Sequence, residues 1–123
     1  YPVVGVSDAH DTSTRLGYSC TIAFAPTPDL DGIADAVKND FSVVGRLAEK
    51  DGAIFLGNFR LVNFAYFLHE YYFPQHDEIC RKQGEVILKW LETRNSEKLQ
   101  QSNLELEKYQ RELNEYQQKF WPR

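Results

Sequence analysis

The chain has no methionine and only two cysteines among its 123 residues. Cys20 and Cys80 lie far apart and form no Cys-x-x-Cys pair, which argues against a zinc ribbon or a thioredoxin-type redox motif. We expect two buried free thiols in a reducing compartment, and therefore a cytoplasmic protein. A disulfide or a reactive thiol is the alternative interpretation.

Long hydrophobic runs and basic clusters are lacking as well. The most apolar stretch, residues 53–73, is interrupted by Asn, Arg, His and Glu, so it predicts no membrane span. The net charge of −4 makes nucleic acid an unfavourable partner, because its phosphates are also negative. The sequence also has no glycine-rich phosphate loop and no His-Glu-x-x-His zinc motif.

Hydrophobic periodicity predicts an α/β first part and a helical second part. The first apolar run, Tyr1 to Val6, is typical of a buried strand. It begins without an initiating methionine, and natural domains rarely start inside a core strand, so we expect the chain to be part of a longer protein. The pattern predicts further strands at 21–25 and 41–45, with a short helix at 30–37 between them. Residues 53–56 are either a strand or the start of a helix, and longer helices follow at 58–73, 75–92 and 96–121.

The last predicted helix carries a heptad pattern. Leu99, Leu106, Leu113 and Phe120 are seven residues apart, and Ser102, Tyr109 and Tyr116 occupy the position three residues after each of the first three. The pattern predicts an apolar seam over roughly three heptads. This seam packs either against the chain's own helices or against a partner helix, in which case the tail would form a homodimer.

Asp8 and His10 are the residues with the clearest chemical content. If they leave a strand as Asp-x-His, their side chains lie on the same side of the backbone, because successive side chains alternate. A carboxylate and an imidazole placed in this way would bind one divalent cation or bridge two. The alternative interpretation of Asp-x-His is a surface aspartate and a histidine satisfied by hydrogen bonds, with no metal.

The segment Gly5-Val6-Ser7-Asp8-Ala9-His10, followed by Leu16-Gly17, resembles the last metal-binding motif of the PHP (polymerase and histidinol phosphatase) family. The family pattern is G-S-D-A-H…L-G, and here Val6 is inserted between Gly5 and Ser7. The resemblance covers roughly residues 1–46. It implies the C-terminal remnant of a distorted (β/α)7 barrel over residues 1–50, followed by a helical accessory region over 51–123.

The same resemblance implies that Asp8 and His10 are metal ligands of a hydrolase, most simply a phosphoesterase. The cofactor would be zinc, manganese or iron, and the partner a phosphorylated small molecule or another metal-bound substrate. The family's opening His-x-His, middle His and Glu ligands have no counterpart in this chain. Because a catalytic site needs three or more protein ligands, we expect the isolated chain to be inactive, with either no metal or an incompletely held one.

A second group of metal-binding residue types surrounds Pro74. His69 precedes it, and His76, Asp77 and Glu78 follow, so these four residues are accessory site candidates. Acidic residues near a helix start are also explained by the helix dipole. The alternative to a hydrolase fragment is a non-enzymatic helical interaction or dimerisation module, in which the Asp-x-His segment has no function.

Overall fold

The structure is a computed structural model, and it describes residues 2–10, 17–48, 52–93 and 96–121. The chain divides into two compact units, Tyr1–His69 and Glu70–Arg123. The prediction of a mixed α/β fold with a helical C-terminal part is confirmed. None of the described helices is long and apolar enough to cross a membrane.

The first unit is built on a three-stranded antiparallel sheet. Its strands are β1 (Ser19–Ala23), β2 (Ser42–Ala48) and β3 (Gly52–Gly57), in the order β1-β2-β3. Val44 of the central strand pairs with Thr21 on one side and Leu56 on the other. Gly52 opens β3 with a φ of +75°, a conformation that suits glycine because it has no Cβ.

Helices α1 (Leu30–Lys38) and α2 (Phe59–Phe67) belong to the same unit. Asp29 caps α1, since its carboxylate accepts a hydrogen bond of 2.7 Å from the Gly32 N–H. This hydrogen bond, with help from the Thr27 hydroxyl, lowers the pKa of Asp29. Asn58 caps α2 in the same way, through the Arg60 N–H at 3.1 Å. Both helices therefore begin at residues that satisfy free backbone donors.

The core of the first unit lies between the sheet and α2. Val43, Phe55 and Ala65 are at most 5% exposed, and Phe55 meets the Tyr66 ring edge-on at a centroid distance of 4.8 Å. Burial of apolar side chains here is the main stabilising contribution, at roughly 25 cal/mol per Å². Partly buried neighbours complete this core: Ile22, Phe24, Leu47, Ala53, Leu61 and Val62.

The second unit contains α3 (Phe73–Thr93) and α4 (Ser96–Phe120), which pack against each other. Ile79 is fully buried and Leu113 is 8% exposed. The rings of Tyr72 and Tyr116 stack at 5.5 Å. The Tyr116 hydroxyl lies 3.0 Å from the carbonyl oxygens of both Tyr71 and Tyr72, so it donates to this pair. The C-terminal part of the heptad seam, at Leu113, Tyr116 and Phe120, thus packs within the chain's own second unit.

Pro74 does not separate two helices as the sequence suggested. It is the second residue of α3, where a missing N–H is tolerated, and a π-helical turn covers Leu68–Tyr72 just before it in sequence. Proline also removes the N–H that would bond the carbonyl of Glu70, which explains why regular α-helical bonding is interrupted in this stretch.

The predicted first strand is wrong. Residues 2–9 form no regular secondary structure, and Val3, Val4 and Val6 are 61%, 57% and 72% exposed. An apolar run indicates a strand only when a neighbouring backbone is present to pair with it. The described strands also pair antiparallel, whereas a β/α barrel has parallel strands. The predicted boundary after residue 50 lies between the paired strands β2 and β3.

Replacing Ile79 by alanine should destabilise the chain by about 2–5 kcal/mol, because the substitution leaves a cavity at a fully buried position. Urea unfolding followed by circular dichroism in metal-free buffer measures this change. Ile87→Ala is the matched control, since Ile87 lies on the same helix and is 44% exposed. An equal loss for both variants would contradict the packing described for α3 and α4.

Candidate functional site

Gly5 fixes the segment that carries Asp8 and His10 to the first strand. Its N–H donates to the Thr21 hydroxyl oxygen at 2.8 Å, and the Thr21 hydroxyl lies 3.1 Å from the Gly5 carbonyl oxygen. A Cβ at residue 5 would lie 2.6 Å from the Cys20 carbonyl oxygen and 2.7 Å from Cγ1 of Val44. Only glycine therefore allows the segment to approach the sheet this closely.

Asp8 and His10 lie next to each other and open to solvent. Oδ1 of Asp8 is 3.7 Å from Nε2 of His10, and both side chains are 89% exposed. Asp8 has a φ of +49°, in the left-handed region that aspartate tolerates better than most residues. The two groups are brought together by this bend and not by the alternation of a strand.

The donor pair fits a single divalent cation. Two ligands at about 2.1 Å from one ion are about 3–3.5 Å apart, close to the distance between Asp8 and His10. Carboxylate oxygen and imidazole nitrogen suit zinc, manganese and iron. Within the described ranges, however, no three His, Cys, Asp or Glu side chains are grouped to hold a metal. Leu16, part of the family motif, lies outside the described residues.

The accessory candidates belong to two different compact units. His69 belongs to the first unit, where its ring packs against Phe55 at 5.8 Å. His76 and Asp77 belong to the second unit and lie 2.9 Å apart, from Nδ1 to Oδ1. His69 therefore has a packing contact in the first unit, whereas His76 has a polar contact on α3.

Glu78 forms an ion-pair network on the surface of α3. Its two carboxylate oxygens lie 2.8 and 2.9 Å from the guanidinium of Arg81, and Lys82 is 3.6 Å away. Hydrogen bonding by Arg81 is the main reason that the pKa of Glu78 falls to about 2. Glu85 contacts Arg81 as well. Because its oxygens are occupied by Arg81, Glu78 is a poor metal ligand here.

Cys80 is a neighbour of His76 that the sequence analysis did not connect with it. The thiol sulfur is 3.9 Å from both ring nitrogens of His76. The signal in the sequence was the four-residue spacing within a predicted helix, which places both side chains on one face.

Comparison with models of known protein families, with curated proteins and with solved structures gave no match. The resemblance to PHP proteins therefore rests on the residues of the motif itself.

Gly5→Ala should detach the segment that carries Asp8 and His10 from β1, because the new methyl group would collide with the Cys20 carbonyl and with Val44. We expect lower heteronuclear ¹⁵N NOE values for residues 3–10 and loss of the Thr21 hydrogen bonds. Val3→Ala is the control, since this neighbouring side chain is 61% exposed. Unchanged NOE values in Gly5→Ala would show that the close approach is not what orders the segment.

Glu78→Gln should lower the melting temperature at neutral pH by a small, pH-dependent amount. The folded-state pKa of about 2 lies below the usual glutamate pKa of 4.5, so the stabilisation is complete above about pH 4.5 and disappears as the pH falls towards 2. Thermal melts of both proteins between pH 2 and 7 measure the difference. Glu105→Gln, a substitution at an exposed position of α4, should show no melting-temperature difference that disappears at low pH. A melting-temperature difference for Glu78→Gln that is constant with pH would contradict the ion pair.

Proposed function

We propose that this chain is the C-terminal portion of a metal-dependent hydrolase resembling the PHP family, and that it contributes Asp8 and His10 to the metal site. The observation that supports the proposal best is the exposed carboxylate and imidazole, 3.7 Å apart, within the motif that carries the resemblance. Residues 1–50 would then be a remnant of the family's barrel, working in the cytoplasm, where Cys20 and Cys80 stay reduced.

In this proposal the chain's own residues have separate tasks. Asp8 supplies a negatively charged oxygen ligand and His10 a neutral nitrogen ligand, and Gly5 holds the segment against β1 through Thr21. A bound divalent metal would supply an activated water and neutralise charge on a phosphorylated substrate. Both ligands are open to solvent, so further ligands and substrate have access to them.

Two protein ligands are too few for catalysis, because catalytic metal sites hold at least three. The other ligands must come from outside the described residues, since these contain no group of three that could hold a metal. We therefore expect the isolated chain to bind metal weakly and to release no phosphate from a phosphomonoester when manganese or zinc is added.

The alternative, a non-enzymatic helical module that forms a homodimer, is supported by a different observation. Exposed large apolar side chains line part of α3, among them Ile87 at 44% and Leu91 at 48%. Such positions on a helix surface are typical of contacts with another protein. Dimerisation alone would also be compatible with the hydrolase proposal, because it concerns the other compact unit.

Manganese should broaden the NMR signals of residues 7–10 at low metal concentration, because this paramagnetic cation prefers oxygen and nitrogen ligands. Asp8→Asn and His10→Gln should each remove the selective broadening. Asp40→Asn is the matched control, since Asp40 is also exposed and has a positive φ of 60°. Asparagine tolerates a positive φ, so Asp8→Asn and Asp40→Asn each remove a charge without straining the backbone.

Broadening that is spread over all acidic residues, or that persists in Asp8→Asn, would contradict the assignment of Asp8 and His10 as ligands. Phosphatase turnover by the purified chain with added manganese or zinc would instead contradict the claim that the site is incomplete. The two results are independent, so each part of the proposal is tested separately.

A further inference from the structure

His76 and Cys80 have the geometry of a chelating pair. They are four residues apart on α3, so both side chains lie on the same face of the helix. Sγ of Cys80 is 3.9 Å from Nε2 of His76. Two ligands of a tetrahedral zinc ion are about 3.5 Å apart, given bonds of about 2.0 Å to nitrogen and 2.3 Å to sulfur. A small side-chain adjustment would let the pair share one zinc ion.

Asp77 orients the histidine for this role. Its Oδ1 lies 2.9 Å from Nδ1 of His76, and this contact assigns the ring proton to Nδ1. Nε2 then keeps its lone pair for a metal. A carboxylate that accepts a hydrogen bond from a ligating histidine is the usual outer partner in zinc sites, where it fixes the ring and raises its basicity.

The cysteine is a metal ligand candidate and not an activated nucleophile. Burial, and to a lesser degree the charge of Asp77, raises the pKa of the Cys80 thiol. Zinc would displace the thiol proton when it binds. Both residues are only partly buried, the His76 side chain being 26% exposed, so a cation can reach them.

Two ligands are half of a structural zinc site, which almost always has four. The part of the chain that the structure describes holds no third His, Cys, Asp or Glu grouped with them as a metal site. A second copy of the chain would supply the same two ligands and complete a Cys₂His₂ set. This arrangement requires the α3 helices of both copies to approach each other.

The same face of α3 is suited to that approach. At about 100° per residue, Ile87 and Leu91 lie within about 60° of His76 around the helix. They are 44% and 48% exposed. Gly84 lies between these residues and the ligands, and nothing lies within 4 Å of the position its Cβ would take. The face therefore offers apolar contacts and room for a neighbouring helix.

We propose that His76 and Cys80 form half of a zinc site, and that a second copy of this chain completes it through two parallel α3 helices. With the two helices parallel, a two-fold axis places each residue opposite the same residue of the other copy. Ile87 and Leu91 would then contact Ile87 and Leu91 of the second copy. Asp77 acts as a positioning residue for His76. The proposal does not depend on the role of Asp8 and His10.

Analytical ultracentrifugation of the reduced chain tests the proposal. With added zinc chloride we expect a dimer with one zinc per two chains, and with EDTA a monomer. Cobalt in place of zinc should give the visible absorption of a tetrahedral site, together with a thiolate-to-cobalt charge-transfer band. That band reports a cysteine ligand and so separates this site from Asp8 and His10.

Cys80→Ser and His76→Gln should each abolish the zinc-dependent dimer and the cobalt spectrum. Cys20→Ser and His69→Gln are the matched controls and should retain both, while Asp77→Asn should weaken zinc affinity about 10- to 100-fold. A dimer that persists in EDTA, one zinc bound per monomer, or zinc-dependent dimerisation that survives Cys80→Ser would overturn the proposal. Loss of the dimer in the Cys20 control would overturn it as well.

Discussion

Burial of Val43 in the central strand is the constraint on which the first unit depends. This side chain has no solvent exposure, and β2 pairs with both other strands, so the sheet is organised around it. Phe55 and Ala65 close the core from β3 and α2. The pairing also fixes β1, whose Thr21 holds Gly5 by its hydroxyl group. The position of Asp8 and His10 therefore follows from a core to which neither of them contributes.

An analogous dependence operates in the second unit. Ile79 is fully buried on α3, and Tyr72 packs its ring against Tyr116 of α4. With this side of α3 covered, the neighbouring side, which carries His76 and Cys80, remains partly open. Intramolecular packing thus selects which face of α3 is available for ligands. It also covers Leu113 and Tyr116 of the α4 heptad seam, whereas Ile87 and Leu91 of α3 stay exposed.

The sequence predicted the helices and most strands well, because their periodicity and caps are local properties. Asp29 marks the start of α1 and Pro28 precedes it, and both signals are read directly from neighbouring residues. The first strand was wrong because an apolar run does not reveal whether a partner backbone is available. The π-helical turn at Leu68–Tyr72 was missed because Pro74 suggested a break, whereas proline is accepted in the first turn of a helix.

For the candidate sites as well, sequence spacing predicted part of the geometry and the structure supplied the rest. The closeness of Asp8 to His10 was predicted from sequence spacing, but the structure achieves it through a positive φ that spacing does not reveal. The link between His76 and Cys80 was available as a spacing of four within the predicted helix at 75–92, but spacing does not give the 3.9 Å between the thiol and the ring nitrogens. Glu78 has the residue type of a metal ligand, but its carboxylate pairs with Arg81 on the same helix.

Ligand chemistry makes the two candidate metal sites distinguishable. Asp8 and His10 offer oxygen and nitrogen ligands, which accept manganese. His76 and Cys80 offer nitrogen and sulfur ligands. Thiolate sulfur favours zinc over manganese, so manganese should be selective for Asp8 and His10 over the other pair. Each pair is incomplete for a different reason. In the proposed hydrolase the first pair needs ligands from outside the described residues. In the proposed zinc dimer the second pair needs another copy of the same helix, because two identical pairs would make a tetrahedral set.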